Sequence, residues 1–151
     1  MKDQLTEAWL TSNRVNLLFI DALSDEDMKK TLSTRGGRTI YQQLVHMHEV
    51  RLRWLEIITN KKSQPLNKNA FNKPLLKEAF ETSARAIAEL IDQSWANGGK
   101  LRSFKKGLIP FIAYLIAHEA HHRGHAMLTL KQSGVQLPES LKWGLWEWDK
   151  I

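Results

Sequence analysis

The chain has 151 residues, of which 42% are hydrophobic and 25% charged, with a formal net charge of +6 and no cysteine. The missing cysteine excludes disulfides and thiolate metal ligands, so any metal must be held by nitrogen and oxygen, and no apolar run reaches the roughly eighteen residues of a membrane span. The positive residues (Lys29-Lys30, Arg35, Arg38, Lys61-Lys62, Lys68, Lys73, Arg102, Lys105-Lys106) are spread through predicted loops rather than gathered on a basic helix interleaved with aromatics, which argues against a nucleic-acid partner and leaves room for an acidic small substrate.

From Gln4 to Leu23 the apolar residues Leu5, Ala8, Trp9, Val15, Leu17, Leu18, Phe19 and Ala22 recur at helical steps. Ser24-Asp-Glu-Asp reads as a turn or a new N-cap. Two glycines in Ser33-Thr-Arg-Gly-Gly-Arg38 break the pattern. Thr39 followed by Gln42 is a capping box that opens a second helix to about Thr59. Asn60 to Lys73 is polar, contains Pro65, and is long for a bundle connection. A loop of that length can carry the chain from one end of a bundle to the other, so the helices it joins need not be antiparallel. Pro74 suits the first turn of a third helix reaching about Trp95, and Asn97-Gly-Gly ends it. After a basic loop, Pro110 sits near the start of a fourth helix running to about Ser133, closed by Gly134. The tail from Val135 to Ile151 contains Pro138, Trp143, Trp146 and Trp148 and predicts a short helix or turn packed on the bundle.

No strand pattern competes. The fold class is all-α: a four-helix bundle with a long crossover between the second and third helices and a short Trp-rich C-terminal segment, expected to form one domain over residues 1–151. The N-terminus lacks an apolar signal core, and a cytoplasmic location is expected.

All six histidines lie in two segments, His46-Met-His48 and His118-Glu-Ala-His-His-Arg-Gly-His125. Imidazole is the commonest side-chain metal ligand. His118 and His122 are four apart and share a helix face, where two neutral rings can grip one divalent cation. With His118 at zero and about 100° per residue, His122 lies near +40°, His125 near −20° and His121 near −60°, while the apolar face centres near +80°. His118 with His122 is therefore the pair that faces inward; His121 with His125 has the same spacing but points farther out. On the second helix His46 and His48 flank the apolar face at nearly equal offsets, and periodicity does not choose between them. A tight site needs one of them as third ligand. Glu119 and Arg123 are four apart and read as a surface salt bridge, with a substrate contact as the other reading of Arg123. Most of the six tryptophans are expected to fill the core and anchor the tail; Trp54, on the helix of His46, could reach the mouth of a metal pocket.

The run from Phe111 through His118-Glu-Ala-His-His-Arg-Gly-His125 resembles the final helix of the DinB/YfiT-like metalloenzyme family, and Leu44-Val-His-Met-His-Glu-Val-Arg-Leu-Arg-Trp-Leu55 resembles its second. The closing Gly144-Leu-Trp-Glu-Trp-Asp149 is similar to one branch of that family, which is unrelated to the DNA polymerase sharing the name. The resemblance implies a four-helix bundle with a long crossover, often a homodimer, and a zinc or nickel ion held by His46, His118 and His122. Where many members have Gln after Arg-Gly, this chain has His125, which leaves an altered or fourth ligand open. Three neutral histidines leave positions free for water or substrate, as in catalytic metal sites. Relatives with known activity include transferases and isomerases that use low-molecular-weight thiols. The resemblance thus implies a metal-dependent transferase or hydrolase, by analogy a thiol-dependent S-transferase acting on a small-molecule electrophile, against the alternative of a non-catalytic, stress-related metal-binding bundle.

Overall fold

The computed structural model describes residues 1–33 and 35–151; Thr34, inside the predicted break after the first helix, lies outside the described residues. The chain forms α1 (Lys2–Ala22), a one-turn α2 (Asp25–Met28), α3 (Ile40–Thr59), α4 (Lys73–Ala96), α5 (Leu108–Gln132), a short α6 (Glu139–Gly144) and a closing 3-10 turn (Trp148–Lys150). The helix starts follow local chemistry. Thr39 accepts from the Gln42 amide while the Gln42 side chain accepts from the Thr39 amide, and Ser24 and Asp27 repeat the arrangement ahead of α2. Asn72 caps α4, with Pro74 in the first turn where its missing N–H costs nothing. Gly107 opens α5 at φ +84, where a Cβ would stand 3.0 Å from the Gly99 carbonyl oxygen, so glycine is required on both counts.

The four long helices pack in the ring order α1, α4, α3, α5. Helices α1 and α4 are antiparallel: Lys2 pairs with Asp92, and Lys77 with Asp21, joining opposite ends. Helices α3 and α4 are parallel neighbours. Ile40, Tyr41 and Leu44 share one apolar cluster with Leu76 and Phe80, and Leu55 shares the other with Leu90 and Ile91. The crossover of residues 60–72 makes this possible by returning the chain to the end at which α3 began. Helix α5 runs antiparallel to α3, because Gln43 meets His122 while Trp54 meets Phe111. The result is an up-down-down-up bundle.

The apolar core divides in two. One cluster holds Val15, Phe19, Ile20, Leu44, Phe80, Ala126 and Leu130; the other holds Trp9, Leu55, Ile87, Ile91, Phe111, Ile112 and Leu115. Between them lies a polar layer. Arg51 is fully buried and Glu119 is 1% exposed. Arg51 Nε donates to Glu119 Oε1 at 2.5 Å, and Nη2 to Oε2 at 2.9 Å. Arg51 Nη1 also donates to Asn13 Oδ1, the Phe80 carbonyl and Ser83 Oγ. Asn16 Nδ2 donates to Glu119 Oε2 at 2.7 Å. The guanidinium carbon sits 4.7 Å from the Trp9 ring centre and 4.6 Å from that of Phe80, so two aromatic π-clouds contact it.

Two sequence expectations change here. Glu119 does not pair with Arg123 on the surface; α5 turns it fully inward onto Arg51. The tail tryptophans do not anchor the tail either. Trp143 and Trp146 are 65% and 79% exposed and Trp148 is 37% exposed, while Leu141 and Leu145, four residues apart on α6 and its end, are the buried contacts. Gly144 lies so close to α1 that a Cβ would come 3.1 Å from Leu18 Cδ2, which leaves no room for an indole on that side. Trp9 alone among the six tryptophans is fully buried, its indole nitrogen donating to the Ala84 carbonyl.

Removing one member of the buried pair strands the other. Glu119→Leu is expected to cost about 3–5 kcal/mol of stability, whereas Arg51→Met/Glu119→Leu recovers much of that loss. Urea unfolding of the three proteins checks this; equal losses in the single and double variants would refute coupling within the layer.

Candidate metal centre

The capping box at Thr39 fixes where α3 begins, and two turns on it presents His46 towards α5. Helix α5 answers with His118 and His122, one turn apart. One ring nitrogen from each of His46, His118 and His122 lies within 4.8 Å of the others, and these three form the metal-competent group found among the described residues. The His118 and His122 Nε2 atoms are 3.2 Å apart. Two nitrogens on one tetrahedral zinc lie about 3.3 Å apart, given Zn–N bonds of roughly 2.0–2.1 Å, so the spacing suits a shared cation. The His46 ring centre is 5.4 Å from that of His118 and 4.8 Å from that of His122.

Protonation states support ligation. His122 Nδ1 is 2.8 Å from the Gln43 side-chain oxygen, so Nδ1 carries the hydrogen and Nε2 keeps a free lone pair. Burial, then the proximity of His118 and His46, pushes the His122 pKa down to about 4. Burial also lowers His46, helped by Arg38 and His118, and lowers His118 against the opposing pull of Glu119. His118 Nδ1 is buried without a hydrogen-bond partner, an arrangement tolerable for a neutral ring and costly for a charged one. The donor set is three neutral imidazoles, which suits a borderline divalent ion such as zinc or nickel.

The remaining histidines separate from this group. His48 turns to the opposite flank of α3, where its Nδ1 is 3.2 Å from Ser83 Oγ and its ring stacks at 6.3 Å on Phe80. Burial and Arg51 hold its pKa at about 4. His121 and His125 are exposed and face each other at 4.4 Å. His125 stays 6.5 Å from the His122 ring and does not join the group as a fourth ligand. Arg123 reaches back to Asn16, its Nη1 donating to Oδ1 at 2.5 Å. The helix wheel did not anticipate Gln43, Arg51 or Asn16. Arg51 carried a signal: it interrupts the core stripe Leu44, Met47, Leu55 of its helix, a place a lone surface arginine does not occupy.

Together these features define a class, an up-down-down-up helical bundle with a histidine triad able to hold a divalent cation at the α3–α5 seam. The chain belongs to the DinB family, whose model matches residues 1–143. It is similar to the crystal structure of a DinB-like protein from Bacillus cereus ATCC 10987, with a TM-score of 0.67 and 18% identity over 90% of this chain and 95% of that one. At that identity the likeness concerns the fold. A search of curated proteins found no match. Among the described residues no helix is long and apolar enough to cross a membrane.

Two outcomes are expected. Gln43→Ala frees the His122 ring to rotate and change tautomer, and should weaken zinc binding about 10- to 100-fold without unfolding the protein, as titration against a competing chelator will read. Unfolding exposes buried neutral histidines, which then take up protons below their ordinary value of 6.5. The folded protein resists this until about pH 4 at His48 and His122, so metal-free stability is intact above about pH 6.5 and falls as the pH is lowered towards 4. His48→Leu should flatten part of that slope in urea midpoints measured across the window.

Proposed function

We propose that this protein is a metal-dependent enzyme in which His46, His118 and His122 hold a zinc or nickel ion, and that it transfers a low-molecular-weight thiol to a small electrophile. The observation that carries this reading is the donor set itself: three convergent neutral imidazoles with, among the described residues, no further histidine or carboxylate in the group. A structural zinc site is closed by four protein ligands, whereas three leave access for an exogenous molecule. That distinction favours catalysis over the alternative of an inert metal-binding bundle.

A divalent ion held by these three rings would supply Lewis acidity, the chemistry that favours a thiol in its ionised form near neutral pH. The protein's own groups do the rest. Gln43 fixes the His122 tautomer. The Arg51–Glu119 layer behind the triad sets the rotation of α3 and α5 that points the rings at each other. In the transfer, the thiol sulfur forms a bond to the electrophilic carbon, the leaving group departs with the electron pair of the broken bond, and the thiol proton passes to solvent. Arg38 is exposed, its charge is felt at His46 and His122, and it would favour an anionic thiol or substrate.

Protein purified without a histidine tag should contain close to one divalent metal per chain. Free zinc at about a thousand times its Kd should add roughly 4 kcal/mol to the stability of the metal-free form. His118→Ala should lose both the metal and that stabilisation, and full occupancy in this variant would defeat the ligand assignment. Thiol consumption by the metal-loaded protein against a panel of electrophiles separates enzyme from inert bundle: no turnover with any thiol and electrophile favours the latter.

A further inference from the structure

The seam that carries the histidines continues as an aromatic wall. On α3, His46, Val50 and Trp54 follow at four-residue steps; on the antiparallel α5, His118, Tyr114 and Phe111 run alongside. The Tyr114 ring centre is 6.1 Å from that of His118. Tyr114 in turn lies 6.1 Å from both Trp54 and Phe104. Trp54 packs edge-on against Phe104 and Phe111, each at 5.6 Å. Phe111 is fully buried behind the cluster, while Tyr114 is 39% exposed.

The core explains Phe111 and most of Trp54, since both belong to the lower apolar cluster. Burial does not account for Tyr114, which is 39% exposed yet has three aromatic neighbours, one of them a ring of the triad. The ring is partly open to solvent, and its centre lies 6.1 Å from that of His118. Offset or edge contacts between aromatic groups add to the gain from area burial alone. Polar groups lie on the opposite side of the triad, where Gln43 bonds His122.

We propose that Tyr114, braced by Trp54, is a specificity-determining surface that receives a planar aromatic group of the molecule bound at the histidine triad. This rests on the metal reading above and goes on to name the substrate class: the site selects aromatic over aliphatic small molecules. A molecule that reaches the triad with its polar end lays its ring along Tyr114 towards Trp54. The aromatic group is the part left unchanged by the reaction, so the wall contributes uniform binding and selects by affinity.

Two hydroxamates test this without any assay of turnover, because both chelate zinc through the same group and differ in their tail. Benzohydroxamate should bind the zinc-loaded protein on the order of tenfold more tightly than acetohydroxamate by calorimetry. In Tyr114→Ser that ratio should fall to near one while zinc stoichiometry stays at the wild-type value; Trp54→Leu should reduce it in part. Equal binding of the two hydroxamates by wild-type protein, or an undiminished preference in Tyr114→Ser, overturns the proposal and leaves the metal reading standing. A wild-type protein that takes up no zinc overturns both.

Discussion

The buried pair of Arg51 and Glu119 is the constraint around which the bundle is organised. A guanidinium and a carboxylate withdrawn from water carry desolvation costs of several kcal/mol each, and only close geometry with full hydrogen bonding offsets them. Here the geometry is close, and every nitrogen and oxygen of the pair has a partner. The carboxylate accepts two bonds from Arg51 and one from Asn16. Nη1 of the guanidinium shares its hydrogens among Asn13, Ser83 and the Phe80 carbonyl. These partners come from α1, α3, α4 and α5, so one charged pair ties all four long helices at one level. An apolar contact at that level would tolerate sliding or rotation of a helix by a fraction of a turn. A bidentate ion pair does not, because a displaced helix leaves a buried charge without its partner.

That rigidity matters because the histidine triad shares its residues' neighbours. Glu119 directly follows His118, and Arg51 lies five residues beyond His46 on the same helix. Rotating α5 by one residue, about 100°, would carry Glu119 out of the layer and take the His118–His122 pair away from His46. The ion pair therefore selects His118 and His122 over His121 and His125, which have identical spacing and remain exposed. It also offsets charge: Glu119 counters that of Arg51, whose effect is still felt at His48. An unpaired cation or anion at this depth would alter the protonation of rings that must stay neutral to ligate.

The architecture was largely legible because it rests on local chemistry. The capping box at Thr39, the proline at position 74 and the glycines after Asn97 each set a boundary by hydrogen bonds or dihedral preference within a few residues. The length of the loop after Asn60 left a parallel pairing of α3 and α4 open, and the packing of the two helices adopts it. On α5 the helix wheel separated inner from outer histidines, since the apolar stripe lies to one side of the row. On α3 it had no such power: His46 and His48 flank the stripe, and both are drawn inward, one to α5 and one to Ser83 on α4. Periodicity reports distance from the core axis, not which neighbour lies on which flank. The Glu119–Arg123 reading failed for a related reason. Charges four apart on one helix suggest each other, and nothing local announces an arginine arriving from another helix. The tail misled through composition. Tryptophans are the largest apolar groups there, but the close approach of Gly144 to Leu18 gives the inner positions to leucine.

The division of the core clarifies why the site sits at mid-height rather than at a bundle end. Below the polar layer, aromatic residues dominate where α3 and α5 meet: Trp54, Phe104, Phe111 and Tyr114. Above it, the same seam carries Gln43 and His122, with Leu44 and Ala126 turned into the upper cluster. The triad thus spans a boundary between an apolar, π-rich wall and a hydrogen-bonding one. A site placed wholly among aromatics would lack the acceptor that fixes the His122 tautomer, and one placed wholly among polar groups would not lower the ring pKa values by burial. Because the Arg51–Glu119 pair defines that boundary, it governs both the directions in which the imidazole lone pairs point and the environment in which they remain unprotonated.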